Sequence, residues 1–234
     1  MVAYAWSLWD DRIPTERIVE PGATLCFSAR WEHKGPVIFE SLQSSTSERM
    51  VRRAWDLLSE ADVVVHYNGS KFDIPVLNQE FILHDLTPPS TFKEVDLLKV
   101  VRKRFRFHSN KLDYVAQRLG LGSKVDHKGM DLWKGCMAGD ARSWKTMRRY
   151  NIQDVVLLRK LYHRLLPWIP NHPNHGVYEG GDEPTCRNCG STKLQSRGYA
   201  YTTTMVYRRF KCTSCGAWGR GRKAARKPGE GILV

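Results

Sequence analysis

The sequence predicts an α/β body with a mixed sheet, followed by a small cysteine-rich β module. Three observations predict this. The hydrophobic period is two in the first forty or so residues, and then becomes helical spacing interleaved with short apolar runs. Residues 170–185, PNHPNHGVYEGGDEPT, hold three prolines, three glycines and no apolar periodicity, which is the composition of a linker. Beyond them stand two Cys-x-x-Cys pairs, Cys186/Cys189 and Cys212/Cys215, with 22 residues between the pairs.

In the body, Val2, Tyr4, Trp6 and Leu8 alternate with smaller residues, as in a strand. Leu25, Phe27, Ala29 and Trp31 do the same, and residues 36–41 form a third candidate. Val51, Ala54, Trp55 and Leu58 follow helical spacing after a Ser/Thr-rich stretch, 44–47, suited to capping. Val63–Val65 reads as a short buried strand, 73–84 as a helix and 92–98 as a further strand. Asn110 can cap a helix that stops at Gly120 and Gly122. A long helix spans about 141–166 and ends before Pro167. Strands first, then alternating strand and helix, give a sheet with an antiparallel and a parallel side.

The 234 residues carry 37 Lys/Arg against 24 Asp/Glu, a net charge of +13. Residues 171–234 hold eleven Lys/Arg and four Asp/Glu, so +7 of that charge lies in the last 64 residues. Such a balance favours an anionic partner, most simply nucleic acid, although a solvated basic surface has the same arithmetic. A hydrophobic fraction of 41% argues against global disorder. No apolar run approaches the length of a membrane span, and the N-terminus lacks the pattern of a signal peptide. A cytoplasmic protein is therefore expected, in which paired cysteines read as metal ligands rather than disulfides. Cys26 and Cys136 stand alone.

Two constellations in the body can carry chemistry. In HYNGSKFDIP, 66–75, a buried strand ends and a polar turn delivers Asn68 and Asp73. Asp73 there is either a helix cap or a carboxylate placed at the C-terminal edge of a strand, where α/β sites form. In RRYNIQDVVLL, Tyr150 and Asp154 lie one helical turn apart, about 40° round the axis. Asp154 falls within an apolar stripe shared with Met147 and Leu161. A carboxylate there needs a cation or a metal, and Arg148, Arg149 and Arg159 point elsewhere on the helix; the alternative is a carboxylate at the edge of the stripe, paired with a distant Lys. Asp96 is either a strand-end turn residue or a support for that chemistry, Asp113 suits a capping box with Asn110, and His66 is expected to be satisfied locally.

These residues resemble a known family. YNGSKFDIPVLNQEF is similar to the second exonuclease motif of the proofreading domains of family B DNA polymerases, and YNIQDVVLL to their third motif, Tyr-x-x-x-Asp. KLDYVAQRLGLGSK, 111–124, resembles the segment between them. The match is closest to phage and bacterial exonucleases of the DnaQ-like (DEDDy) group with the YprB-type ribonuclease H-like fold, and covers about residues 1–169. The resemblance implies a ribonuclease H-like mixed sheet with flanking helices, and two-metal 3′–5′ exonuclease chemistry on DNA or RNA ends in replication or repair. Asp73 and Asp154 would be ligands of two Mg²⁺ or Mn²⁺ ions, Tyr150 would position the attacking water, and Asn68 would lie near the scissile nucleotide. Lys71 in the same turn would meet the nucleic acid.

The sequence departs from the family at its first motif, Asp-x-Glu, which supplies two of the four carboxylates. The family places that motif a few residues before a segment like AYAWSLWD, so the resemblance implies either a chain that starts just after it, N-terminally incomplete with its first strand missing, or a natural degenerate. The expected consequence is weak binding of the catalytic ions and impaired hydrolysis. The alternative is a non-catalytic nucleic-acid-binding or adaptor protein on an exonuclease scaffold.

The four paired cysteines have the spacing of a zinc ribbon, with one structural Zn²⁺ expected and iron the alternative ion. Gly190 and Gly216 follow the pairs and let each turn present its amides to the thiolates. Residues 198–211 are rich in β-formers and read as a hairpin. Tyr199, Tyr201, Tyr207 and Trp218 can stack bases, and Arg208, Arg209 and Lys211 can meet phosphates. The other reading is a ribbon that docks a protein, such as a replication protein. The expected organisation is thus a nuclease-like domain over 1–169, a linker over 170–185, a ribbon over 186–220 and a disordered basic tail over 221–234.

Overall fold

The computed structural model describes residues 2–3, 18–20, 24–33, 35–126 and 129–226. It divides into two compact units, one of residues 1–59, 74–89 and 125–155, the other of residues 60–73, 90–124 and 156–234. Tyr4, Trp6 and Leu8 of the expected first strand lie outside the described residues, as do 227–234 of the tail.

The first unit opens with two antiparallel pairs. β1 (Val2–Ala3) pairs with β2 (Ile18–Glu20), and β3 (Cys26–Ala29) with β4 (Ile38–Ser41), in the register Cys26 to Ser41 through Ala29 to Ile38. α1 (Ser47–Glu60) follows. Thr46 Oγ1 accepts the Arg49 N–H at 3.3 Å, as the Ser/Thr-rich start predicts, and Glu48 places an acid in the positive first turn. Its buried face, Met50, Val51, Ala54 and Leu57, follows the helical period. Val51 and Ala54 pack with Phe81 of α2 (Asp73–Leu83), joined by Phe27, Trp55, Leu58, Leu77 and Leu86. Fully burying a side chain the size of Phe81 is worth about 1.5–3 kcal/mol. Buried Glu80 of α2 is held by the Thr24 amide at 3.0 Å and the Thr24 hydroxyl at 2.8 Å, which ties the start of β3 to that helix.

A second cluster of the unit joins α5 (Met130–Met137) to the first half of α6 (Ala141–Leu165). Leu132, Cys136, Trp144 and Met147 form it, with Leu25, Cys26, Leu42, Trp133 and Tyr150 against them. Asp140 starts α6, accepting the Ser143 amide at 2.8 Å and the Ser143 hydroxyl at 2.6 Å. Those two bonds hold its carboxyl below the usual range.

The second unit is built on a parallel pair. β5 (Val63–His66) lies beside β6 (Lys93–Asp96), with Val63 opposite Lys93 and His66 opposite Asp96. α3 (Leu97–Arg104) leaves β6 without a loop, where the sequence predicts continued strand to Leu98. α4 (Leu112–Arg118) is capped at Lys111, not at Asn110, and the Lys111 side chain makes no capping bond. Asp113 is committed elsewhere, to the Lys124 amide at 2.7 Å and the Gln117 side chain at 2.6 Å, so the expected capping box does not form. Val95, Leu97, Val101 and Val115 share one core with Leu161, Leu165, Leu166 and Ile169 from the end of α6 and the following 3-10 turn (Leu166–Trp168).

The segment expected as a linker contains α7 (His175–Tyr178), whose cap Asn174 accepts the Gly176 amide. The ribbon has three antiparallel strands in the order β7 (Leu194–Tyr201), β8 (Val206–Cys212), β9 (Trp218–Arg226). β9 corrects the start of the expected disordered tail, because 221–226 continue the strand, with Ala224 opposite Tyr207 and Arg226 opposite Val206. Among the described residues the fold is therefore α/β with small separate sheets and flanking helices, and no helix is long and apolar enough to cross a membrane.

Candidate functional site

β5 ends on His66, and the chain turns through Tyr67–Phe72 to open α2 at Asp73. The turn is tightly specified. The Gly69 N–H donates to His66 Nδ1 at 3.0 Å, which leaves Nε2 protonated and donating to Glu94 Oε2 at 2.8 Å. A Cβ on Gly69 would sit 2.6 Å from His66 Cγ, so no other residue fits there without moving the ring. The Ser70 hydroxyl also donates to Glu94 Oε2 at 2.8 Å, and Lys99 Nζ donates to Ser70 Oγ at 3.0 Å. Burial raises the Glu94 carboxyl, but the bonds from Ser70 and His66 outweigh it and hold it below the usual range.

Asn68 adopts the left-handed conformation, with φ 70°. Its amide donates to Asp96 Oδ1 at 2.9 Å, and the same oxygen accepts the Leu98 amide at 3.0 Å. Asp96 is the last residue of β6 and the N-cap of α3, and it is buried. Oδ1 thus both caps a helix and holds the neighbouring strand's turn, whereas the buried Oδ2 accepts no hydrogen bond and has the Lys99 ammonium 3.8 Å away. His66 is satisfied by the Gly69 amide of the turn and by Glu94 of the neighbouring strand. Asp73 is exposed in the first turn of α2, and Lys71 is exposed two residues before it.

In the other unit, Tyr150 and Asp154 lie one turn apart on α6, and Asp154 is half-buried. The Trp133 ring meets Tyr150 edge-on at 6.2 Å, which fixes the phenol's orientation. On the same helix, Lys145, Arg148, Arg149, Ile152 and Gln153 line a basic hollow of about 290 Å³. Asn151 donates to the Met147 carbonyl at 3.1 Å and to the Cys26 sulfur at 3.5 Å. Burial, with Cys136 nearby, pushes the Cys26 thiol up to about 11.

The four paired cysteines converge, with all four Sγ atoms within 4.8 Å of one another. Cys186 and Cys215 approach to 3.6 Å, and Cys189 and Cys212 to 3.7 Å. A disulfide needs about 2.0 Å, whereas sulfurs at the corners of a tetrahedron with bonds of about 2.3 Å lie about 3.8 Å apart. The cluster therefore fits one tetrahedral soft ion. Two matching turns build it. Cys186 N–H donates to Ser191 O and Gly190 N–H returns to Cys186 O, and Cys212 N–H donates to Ala217 O while Gly216 N–H returns to Cys212 O. Gly190 and Gly216 supply the positive φ, 70° and 82°, that each turn requires. Burial pushes the Cys189 thiol up to about 11, while at Cys212 the amides of Cys215 and Ser214 overcome burial and bring it to about 7. Among the described residues this is the one group of three or more His, Cys, Asp or Glu ligands that draws together.

The ribbon sheet divides the expected nucleic-acid contacts between two faces, because opposed residues share a face and neighbours along a strand alternate. Arg208 opposite Tyr199, with Tyr201 beyond it, lies on one face, the guanidinium 4.9 Å over the Tyr199 ring. Tyr207, Arg209, Lys211, Trp218 and Arg220 lie on the other. There Arg209 stands 4.9 Å and Lys211 5.9 Å over the Trp218 ring, and Arg220 4.0 Å over Tyr207. Arg220, at the last position of the expected ribbon, and Asn188, inside a Cys-x-x-Cys pair, carry no local signal of their contacts in the sequence.

Residues 24–166 match the family model described as the RNase_H superfamily. No curated protein matches the chain.

Proposed function

The chain belongs to the RNase H superfamily, and on that premise, which carries a nucleic-acid-processing nuclease function in general terms, we propose that it is a metal-dependent 3′–5′ exonuclease. The observation that carries this reading is the turn 66–73, which leaves a parallel strand through left-handed Asn68 and presents the exposed carboxylate of Asp73 at a helix start. Asp73 and Asp154 offer the hard oxygen donors that Mg²⁺ or Mn²⁺ takes, and we assign them as ligands of the catalytic ions. Divalent ions, when bound, would activate water and stabilise the leaving oxygen. The Tyr150 phenol, held by Trp133, would orient the attacking water through a hydrogen bond without adding negative charge. Asn68 would contact the scissile nucleotide and Lys71 a phosphate. The ribbon residues Tyr199, Tyr201, Tyr207, Arg208, Arg209, Lys211 and Trp218 would hold the strand, with DNA the favoured substrate in replication or repair. Zn²⁺ at the four cysteines would serve structure alone.

Two carboxylates where the chemistry uses four imply slow hydrolysis. The test is degradation of strands labelled at the 5′ or 3′ end, with Mn²⁺ or Mg²⁺ added. Weak, ion-dependent shortening from the 3′ end is expected, abolished by Asp73→Asn and by Asp154→Asn. Shortening that survives both substitutions, or that starts internally, overturns the assignment. One observation favours a second reading, a binding or adaptor protein, namely that no Asp-x-Glu pair occurs anywhere in the 234 residues. Tight binding with no ion-dependent shortening at all selects it.

A further inference from the structure

The second unit holds a groove of about 320 Å³ that neither the cysteine cluster nor the turn at Asp73 uses. Arg104, Pro167, Trp168, Ile169, Arg187 and Trp218 line it. Trp168 and Trp218 are each 52% exposed, an unusual placement for the largest apolar side chain. Both lie where a base could reach them, and cations stand beside both.

The groove is preformed. The Phe105 ring meets Trp168 edge-on at 5.4 Å, and Arg104 Nε donates to the Trp168 carbonyl at 3.3 Å. Buried Asn188, inside the first cysteine turn, donates through Nδ2 to the Leu166 carbonyl at 2.7 Å and the Ile169 carbonyl at 3.4 Å. That amide clamps the 3-10 turn carrying Trp168 to the ribbon carrying Trp218. A binding surface fixed in this way loses little freedom when a ligand arrives.

The charged side chains that line it, Arg104 and Arg187, are both cations. Residues 187–226 contain no Asp or Glu at all. Arg104 and Arg187 line the groove, and Arg209, Lys211 and Arg220 continue on the sheet face that bears Trp218 and Tyr207. Cations interleaved with exposed aromatic rings suit a ligand with phosphates along its length and flat, unpaired rings between them. Duplex would offer the phosphates but keep its bases stacked inside.

We propose that Trp168 and Trp218 grip unpaired bases of a single nucleic-acid strand, whose phosphates run along the Arg209, Lys211 and Arg220 face of the ribbon. This deepens the nucleic-acid side of the proposed function and does not depend on hydrolysis.

The test is fluorescence anisotropy with the full, zinc-loaded chain and no Mg²⁺ or Mn²⁺ added. The probes are a labelled single strand, its duplex, and an abasic strand of equal length that has the phosphates but no bases. The single strand is expected to bind roughly tenfold or more tighter than the abasic strand. Trp218→Ala and Trp168→Ala are each expected to weaken single-strand binding roughly tenfold and leave abasic binding unchanged. Trp168→Phe, which can keep the contact with Phe105, is expected to retain most of the affinity. Equal binding of the single and abasic strands by the parent chain overturns the proposal even where a variant fails to fold. So does competition by anionic lipid vesicles as effective as unlabelled strand, which would mark a membrane surface instead. Asp73→Asn and Asp154→Asn are expected to bind like the parent, so a failure of the nuclease assignment leaves this one standing.

Discussion

Asn188→Ala tests the clamp between the ribbon and the end of α6. Asn188 is 3% exposed, and its amide is the donor to two buried residues' carbonyls, Leu166 and Ile169. The 2.7 Å bond to Leu166 is at full strength, while the 3.4 Å bond to Ile169 is at the outer limit of useful geometry. Truncation removes the shorter bond and leaves the Leu166 carbonyl with the Ile169 N–H at 3.3 Å, a loss of about 0.5–1.5 kcal/mol, and the weaker bond adds well under 1 kcal/mol. The expected loss is therefore about 1–2 kcal/mol. Asn188→Asp is worse at neutral pH, because it sets a carboxylate oxygen against those carbonyls. Burial and this repulsion would raise the new carboxyl's folded pKa above its unfolded one. The neutral acid is then the better-tolerated form, so the deficit shrinks as pH falls through that raised value. Urea unfolding followed by tryptophan fluorescence, at pH about 7 and about 5, reads both effects. An Asn188→Ala chain within about 0.5 kcal/mol of the parent, or an Asn188→Asp chain no worse than it at neutral pH, refutes the reasoning.

Other outcomes follow from the same structure. One equivalent of zinc per chain is expected by elemental analysis, and Cys212→Ser should not retain it. Because the ion binds thiolates, its affinity falls as pH drops and the sulfurs protonate, which a chelator titration across pH would show. Gly69→Ala drives a methyl into the His66 ring and should cost about 1–3 kcal/mol in a thermal or urea melt. Glu94 has a depressed folded pKa, so its stabilisation is present above the unfolded pKa and lost as pH falls through the folded one. Glu94→Gln should therefore flatten the acid side of the stability profile.

Where a signal was local, the sequence disclosed the structure. The helical spacing of Val51, Ala54, Trp55 and Leu58 matches α1, and the stripe through Met147 and Leu161 lies on α6. The cysteine turns follow from spacing and glycine alone. Asp96 shows where local reading ends. It closes a strand and caps a helix at once, so LL following it prolonged the apparent strand and hid α3, although Leu97, Val100 and Val101 already had helical spacing. Its second partner, the Asn68 amide, is 28 residues away and leaves no trace in the pattern. Asp113 misled for the same reason, since its partner Lys124 lies beyond the helix end. β9 was hidden by its glycines and cations, which resemble a tail until Trp218 is set opposite Lys211.

The acid-free stretch 187–226 has a consequence for the ribbon itself. With no carboxylate nearby in the chain to answer them, Arg208, Arg209, Lys211 and Arg220 repel one another on one small sheet, within the roughly 10 Å over which charges act at 0.1 M ionic strength. Folding the free ribbon therefore works against its own charge. Sodium chloride relieves that repulsion and should raise the ribbon's melting temperature, while the same salt loosens any polyanion it holds. Fold and grip thus respond to ionic strength in opposite directions, and the ribbon is at its most settled either in brine or on its ligand.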